Sequence, residues 1–197
     1  EPVNAATIDA MENGCVTSAS IMVCTPGFDD FARYAAAHPE MDFGVHLTLT
    51  SEMSPFRWGP VLKKESVPSL VDSGGWFWPS ERDVAAHASI VEVERELRAQ
   101  IELARSRGIR ISHLDHHMWV LYMRPDLLRL YASLGEEYDL PIRFGRSLPP
   151  SDLMPPTREC VAAYEECRDR LLARGMPVFD SLDADSYDVA PDDKRAY

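Results

Sequence analysis

Apolar residues along the chain switch between the spacing of a helix and the spacing of a strand. Between residues 28 and 38 they recur every three or four positions, as on one face of a helix. Between residues 45 and 50, Val, Leu and Leu alternate with His, Thr and Thr, which is the two-residue period of a strand. By these criteria the sequence predicts helices at 4–13, 28–38, 89–108, 125–134 and 157–175, and strands at 16–23, 45–50, 109–113, 140–144 and 177–180.

Helix starts are marked by residues that cap the free backbone N–H groups of a first turn. Asn4 and Thr157 precede the first and last predicted helices, and Ser89 with Glu92 forms a capping-box pattern before another. Pro125 suits a first helical turn. We expect the helix after Ser89 to be the best defined in the chain.

The repeated helix and strand order predicts an α/β fold with a parallel sheet surrounded by helices. Parallel strands need crossover connections of about a dozen residues, which the predicted helices provide. A (β/α) barrel and a doubly wound sheet both fit this order. In either fold, ligands bind at the carboxyl ends of the strands.

One long segment, 51–82, shows no sustained period. It contains four prolines and three of the four tryptophans, so it is too aromatic for a disordered loop, and we expect it to form a lid or the wall of a site. Arg57, Trp58 and Trp76 could provide a stacking surface for sugar rings. A hydrophobic plug beneath the loop is the alternative interpretation.

Composition and charge narrow the function classes. A chain of 197 residues with 45% hydrophobic residues predicts one globular domain, and a net charge of −12 argues against nucleic acid or an anionic membrane as a partner. No window approaches the roughly 18 apolar residues of a membrane span. The four cysteines form no C-x-x-C pair and are expected to be buried and reduced. We therefore expect a cytoplasmic protein with a small-molecule ligand, and the sequence leaves a homodimer open.

Four of the six histidines lie on or beside predicted strands. In an extended segment His113, Asp115 and His117 would share one face, whereas the neighbouring His116 would point the other way. His46 lies opposite an apolar row on its own strand. Imidazole with carboxylate suits zinc or another transition ion, whereas carboxylate with water suits magnesium. The alternative is a set of structural histidines held by hydrogen bonds.

Several other chemistries lose support from the sequence. It contains no Gly-x-Gly-x-x-Gly or Walker-type phosphate loop and no Gly-x-Ser-x-Gly nucleophile elbow. The histidine cluster also departs from the metallo-β-lactamase pattern, because Ile111 stands where that pattern has its first histidine.

Three segments together resemble the YdjC-like (ChbG-type) carbohydrate deacetylase family. Residues 14–23, Gly-Cys-Val-Thr-Ser-Ala-Ser-Ile-Met-Val, resemble its Gly-x-Val-Thr-Ser-x-Ser-x-Met segment, and residues 44–50 resemble its Gly-x-His-Leu-x-Leu-Thr strand. Residues 112–117, Ser-His-Leu-Asp-His-His, resemble its Thr-His-Leu-Asp-Ser-His motif. The order and spacing of these segments extend over nearly the whole chain.

This resemblance implies a (β/α) barrel-like fold that removes N-acetyl groups from amino sugars or chitooligosaccharides with a divalent metal, magnesium or zinc. His46 and His117 carry over as metal ligands. Asp115 is the candidate catalytic carboxylate, with the alternative that it holds a ligand histidine in place. A non-catalytic carbohydrate-binding protein and another metal-dependent amidohydrolase are the rival functions.

The resemblance also implies residues that this sequence does not contain. The family's further metal ligand and its proton acceptor lie in an Asn-Ala-Asp-Asp-Phe-Gly segment before the first helix, and a His-Pro segment lies near its C-terminus. We therefore expect residues 1–197 to form a single domain of this family that lacks the first strand and the C-terminal part.

Overall fold

The computed structural model describes residues 2–148 and 157–180. Within these residues, the five predicted helices and the first three predicted strands are present in the predicted order, and one further helix was not predicted. The helices are α1 (Pro2–Glu12), α2 (Phe28–Ala37), α3 (Glu81–His87), α4 (Ile90–Ser106), α5 (Pro125–Tyr138) and α6 (Arg158–Ala173), and the strands are β1 (Ser18–Ile21), β2 (Asp42–Leu47) and β3 (Ile111–His116). Short 3₁₀ turns lie at Lys64–Ser66, Pro68–Leu70 and His117–Tyr122.

The three strands form a parallel sheet in the order β1-β2-β3. Single parallel bridges continue the arrangement, since Leu114 pairs with Ile142 and Gly145 pairs with Phe179. The predicted α/β class with parallel strands is confirmed. Over the described residues the sheet is open, and the segments predicted as strands at 140–144 and 177–180 contribute only these bridges.

Alternation along β2 separates a core face from a site face. Val45 and Leu47 are fully buried, whereas His46 between them lies on the opposite face. The predicted apolar face of α4 is also confirmed, because Val93, Leu97 and two further apolar residues at helical spacing are fully buried. Burial of each large side chain stabilises the fold by roughly 1.5–3 kcal/mol, and this core fixes the position of the strand ends.

Two of the predicted helix caps are wrong in detail. Helix α1 begins before Asn4, whose side-chain amide donates instead to the carbonyl of Gly27 at 2.9 Å. Ser89 precedes α4 but makes no side-chain cap, and the reciprocal bond of the capping box is also absent, because Glu92 accepts from Ser69 and the N–H of Ser89 donates to the Ser69 hydroxyl. Tertiary partners outcompete the local caps at both positions. Thr157 caps α6 as predicted, accepting from the N–H of Cys160 at 3.2 Å.

The irregular segment contains two short 3₁₀ turns and leads into an additional helix at its end. Helix α3 was not predicted, although Ser80 caps it by accepting from the N–H of Asp83. Buried Glu96 of α4 accepts hydrogen bonds from the N–H groups of Val61 and Leu62 at 2.9 and 3.0 Å. The segment therefore packs along α4, where the Glu96 carboxylate accepts backbone hydrogen bonds that a neighbouring strand would accept in a sheet.

All four cysteines are free thiols. Cys160 and Cys167 are buried as predicted, but Cys15 is exposed, so the prediction of burial is wrong at that position. Burial raises the pKa of the Cys24 thiol to about 12. No helix within the described ranges is long and apolar enough to cross a membrane.

Candidate functional site

Two histidines meet at the carboxyl ends of β2 and β3. The parallel register places His46 opposite Asp115, and Nδ1 of His46 lies 2.7 Å from Oδ1 of Asp115. Nε2 of His46 faces Nδ1 of His117 at 3.3 Å. We call His46 and His117 the histidine pair. Both side chains keep nearly a fifth of their surface exposed, so a small ligand can reach them.

Asp115 is the support of His46. Its second oxygen accepts a hydrogen bond from the hydroxyl of Ser20 in β1 at 3.0 Å, and Nη1 of Arg143 lies 3.8 Å from the same oxygen. Burial would raise the pKa of the Asp115 carboxyl, but the hydrogen bond and charge of His46, the charge of Arg143 and the Ser20 hydrogen bond together lower it. Asp115 is therefore ionised at neutral pH and accepts a hydrogen bond from His46.

Glu52 gives His117 a matching support. Its two carboxylate oxygens lie 3.0 and 3.1 Å from Nε2 of His117. Burial lowers the pKa of His117 below its ordinary value, while the hydrogen bond and the charge of Glu52 act in the opposite direction. The balance favours the neutral imidazole, which is the form that binds a metal.

The supports determine where the imidazole protons lie. An ionised carboxylate only accepts hydrogen bonds, so Nδ1 of His46 and Nε2 of His117 must carry the protons. In the neutral forms, both nitrogens that face each other then present lone pairs across 3.3 Å. Two acceptors at this distance repel each other, whereas a cation between them satisfies both.

The spacing of the histidine pair also suits a shared metal ion. Two nitrogens bound at about 2.0–2.1 Å with tetrahedral angles would lie about 3.3 Å apart, and the observed separation is 3.3 Å. Carboxylates behind ligand imidazoles are a common second layer of metal sites. The pair could therefore supply two ligands. Among the described residues, no group of three or more His, Cys, Asp or Glu side chains is arranged to hold a metal.

The other two histidines of the cluster lie away from the pair. His113 packs over Gly44, where an added Cβ would lie 2.3 Å from its Nε2, and its Nδ1 lies 3.6 Å from Asp42. The three residues predicted to share a face therefore do not meet at one place. Asp115 and His117 lie at the pair, whereas His113 lies beside Gly44 and Asp42 of β2. His116 points into the core, as strand parity predicts.

Aromatic rings enclose His116. The rings of Trp119, Tyr122 and Tyr131 surround it with centroids 4.5–6.1 Å away, and the side chain is fully buried. Neither ring nitrogen has a hydrogen-bond partner among the described residues. Burial lowers the pKa of His116 well below its ordinary value. His116 is thus a neutral core residue that does not face the histidine pair.

The three residues predicted to bind substrate line one cavity of about 720 Å³ beside the pair. Arg57 is held by Ser51, Asp72 and the carbonyl of Phe77. Trp58 is 7% exposed and its ring lies 6.2 Å from His117. Trp76 is 44% exposed.

Neither histidine of the pair lines this cavity. Trp58 lines the cavity and also lies near His117 of the pair. The ring of Trp76 is more exposed than that of Trp58. The substrate-binding roles of these residues stay predictions.

Three further residues of the site were not singled out from the sequence. Ser20 lies in β1, where only Ile21 is buried, and a hydroxyl on the polar parity of that strand was the available signal. Arg143 gave a similar signal, as a charge between the buried Ile142 and Phe144. Glu52 lies in the segment without a period, where no pattern could have identified it.

Comparisons with known proteins agree with this fold. The sequence model of the family described as YdjC-like protein matches residues 1–194. Carbohydrate deacetylases from Brevibacillus brevis and Geobacillus stearothermophilus are each 37% identical, over 142 and 151 residues. These matches cover 72% and 77% of this chain but 53% and 57% of the relatives, so the chain spans little more than half of their length.

A solved structure is similar as well. A protein from Enterococcus faecalis V583, named as a candidate cellobiose-phosphate cleavage protein, superposes with a TM-score of 0.68 at 32% identity. The match covers 85% of this chain and 59% of that protein. A family match over residues 1–194, relatives at 37% identity and a shared fold lead to one conclusion. The chain belongs to the YdjC-like family.

Proposed function

We propose that the histidine pair binds a divalent metal ion, and that the protein containing this chain uses it to remove N-acetyl groups from amino sugars or chitooligosaccharides. One observation carries the metal proposal. The outer nitrogen of each histidine is held by a carboxylate, while the inner nitrogens face each other at 3.3 Å. Magnesium and zinc both remain candidates, and the two imidazole ligands favour zinc.

The residues of the chain have separate roles in this proposal. When bound, a divalent ion polarises the acetyl carbonyl and lowers the pKa of a bound water. His46 and His117 would hold it through Nε2 and Nδ1. Asp115 and Glu52 keep the imidazoles in the required tautomers. Both oxygens of Asp115 are engaged by His46 and Ser20, which favours a positioning role for Asp115 over that of a catalytic carboxylate.

Support for a carbohydrate substrate comes from the relatives and from the surface. The curated relatives are named carbohydrate deacetylases. The exposed ring of Trp76 at the rim of the cavity beside the pair suits stacking on a sugar. A net charge of −12 disfavours polyanionic ligands and is compatible with neutral or cationic amino sugars.

Acetate release from N,N′-diacetylchitobiose by the intact natural protein tests this proposal. We expect acetate release that a chelator stops and added Zn²⁺ or Mg²⁺ restores, with no phosphate release from a model phosphate ester. Acetate release that resists removal of all metal would contradict the metal role. Cleavage of the phosphate ester alone would indicate another metal-dependent hydrolase.

A non-catalytic carbohydrate-binding protein is the second candidate. It is favoured by the cavity, which Arg57, Trp58 and Trp76 line and neither histidine of the pair does, so that a sugar could bind there without a metal. Binding of diacetylchitobiose without acetate release, in metal-loaded natural protein, would establish this alternative.

A further inference from the structure

Arg143 lies in the segment 140–144, which runs beside β3, and its side chain points toward the surroundings of the histidine pair. The bridge between Leu114 and Ile142 aligns this segment with the strand, and the N–H of Arg143 donates to the carbonyl of Leu114 at 2.9 Å. Ile142 faces the core, so the alternating parity of an extended segment directs Arg143 to the face that carries Asp115. Its side chain is only 27% exposed.

The guanidinium of Arg143 contacts the chain on both sides of His117. Nη2 donates to the carbonyl of His116 at 2.8 Å, and the guanidinium carbon lies 4.6 Å from the ring centroid of Trp119. The first contact has ordinary hydrogen-bond length, and the second is a favourable cation–π geometry of arginine over tryptophan. Arg143 therefore spans the turn that begins at His117.

This turn is strained. Met118 and Trp119 have φ values of +50° and +55°, in the left-handed region that costs residues other than glycine roughly 1–2 kcal/mol each. Two such residues in succession persist only where surrounding contacts hold them. The stacking of Arg143 on Trp119 and the hydroxyl of Thr50, which donates to Sδ of Met118 at 3.4 Å, are contacts of this kind.

The same guanidinium also acts on the support of His46. Nη1 of Arg143 lies 3.8 Å from Oδ2 of Asp115, and Oδ1 of Asp115 accepts from His46. A partly buried positive charge at this distance favours the carboxylate orientation in which Oδ1 accepts from His46. Thus one side chain lies beside the support of His46 and also contacts the chain on both sides of His117.

We propose that Arg143 is a positioning residue that fixes the separation of His46 and His117. A lysine could keep the charge near Asp115, but it lacks the planar group that stacks on Trp119 while it donates to the carbonyl of His116. The predicted effect on metal affinity rests on the proposed function, whereas the predicted effect on the positions of the two imidazoles does not.

The test compares Arg143→Lys with the parent chain in two measurements. Long-range ¹H–¹⁵N NMR spectra report the tautomer and surroundings of each imidazole, and calorimetric titration with Zn²⁺ reports metal affinity. Arg146→Lys is the matched control, because Arg146 lies on the same segment with an exposed side chain that pairs with Asp180. Trp119→Leu removes the stacked ring and leaves the arginine in place.

We expect Arg143→Lys to shift the side-chain signals of both His46 and His117 and to weaken Zn²⁺ binding about 10–100-fold, as loss of supporting contacts commonly does. Trp119→Leu should shift His117 and leave His46 unchanged, and it serves as the deciding variant if Arg143→Lys does not fold. Arg146→Lys should match the parent.

Other outcomes overturn the role. Unchanged signals from both histidines in Arg143→Lys would do so, as would a response from only one of them. If the signals of His117 were unchanged in Trp119→Leu, the stacking of Arg143 on Trp119 would not hold the turn, and the proposed role would be wrong. If the parent binds no Zn²⁺ even as part of the intact natural protein, the proposed metal site fails, and the NMR comparison still decides whether Arg143 positions the pair.

Discussion

Replacement of Asp115 by asparagine changes one atom and should disable the support of His46. The carboxylate accepts from His46 Nδ1 at 2.7 Å with one oxygen and from the hydroxyl of Ser20 at 3.0 Å with the other. Asparagine keeps a single acceptor. If that oxygen stays on His46, the new NH₂ group points toward Ser20 and the guanidinium of Arg143, which lies 3.8 Å from this position.

If the new asparagine side chain turns the other way, its NH₂ group donates to His46. Nδ1 must then accept, and the imidazole proton moves to Nε2, the nitrogen that faces His117 at 3.3 Å. That tautomer cannot bind a metal through Nε2. In either orientation we expect Zn²⁺ affinity to fall about 10–100-fold, the usual cost of a lost carboxylate support, which is about 1.4–2.7 kcal/mol in binding free energy.

Calorimetric titration with Zn²⁺ and NMR detection of the His46 tautomer measure the two consequences. Asp42→Asn is the matched control, because Asp42 lies 3.6 Å from a different histidine, His113, on the same sheet. The control should retain the parent affinity. An Asp115→Asn variant with unchanged affinity and an unchanged His46 tautomer would refute the reasoning.

Three other substitutions test the surroundings of the site. Gly44→Ala should lower the free energy of unfolding by about 1–3 kcal/mol, because its Cβ would lie 2.3 Å from His113; in urea denaturation, His113→Ala should relieve most of this loss, and an equal loss in both backgrounds would exclude the clash. His116→Leu should keep the free energy of unfolding within about 1 kcal/mol of the parent or raise it, because two buried nitrogens without described partners are removed; a larger loss by thermal denaturation would contradict this. Burial would raise the pKa of Asp72, but two backbone N–H groups and the Arg57 guanidinium lower it, so its ionised form stabilises the fold above the unfolded pKa of about 3.9 and this stabilisation is lost as the pH falls through the folded pKa. Asp72→Asn should therefore cost about 1 kcal/mol at pH 7 and progressively less below pH of about 4, whereas a cost that does not change with pH would contradict the ion pair.

Much of the site could be predicted because strand geometry is regular. The period of two places His46 opposite its apolar neighbours and directs His116 away from the pair, so parity and the family resemblance identified His46 and His117 together. Because the strands are parallel, their carboxyl ends lie at one edge of the sheet, and the predicted order therefore indicates which residues meet there. For the same reason, Asp115 could be predicted near a histidine, although its contact with His46 needed the register between strands.

The remainder depends on tertiary contacts that have no local pattern. Glu52 lies in the segment 51–82, which has only short turns of its own and whose backbone is held in part by carboxylates of α4. The left-handed turn at Met118 and Trp119 has no glycine to signal it. Ser89 shows the same limit in the fold, since a capping-box sequence preceded a real helix while its glutamate bonded elsewhere.

Zn²⁺ titration of the intact natural protein, in the parent and in His46→Ala and His117→Ala, tests the histidine pair most directly. We predict one ion per chain in the parent, at least about tenfold weaker binding in each single variant, and little further loss when both are combined, because the two nitrogens serve one ion. His87→Ala, at an exposed histidine of α3, should match the parent. Undiminished Zn²⁺ binding after either His46 or His117 is removed would contradict the shared metal site.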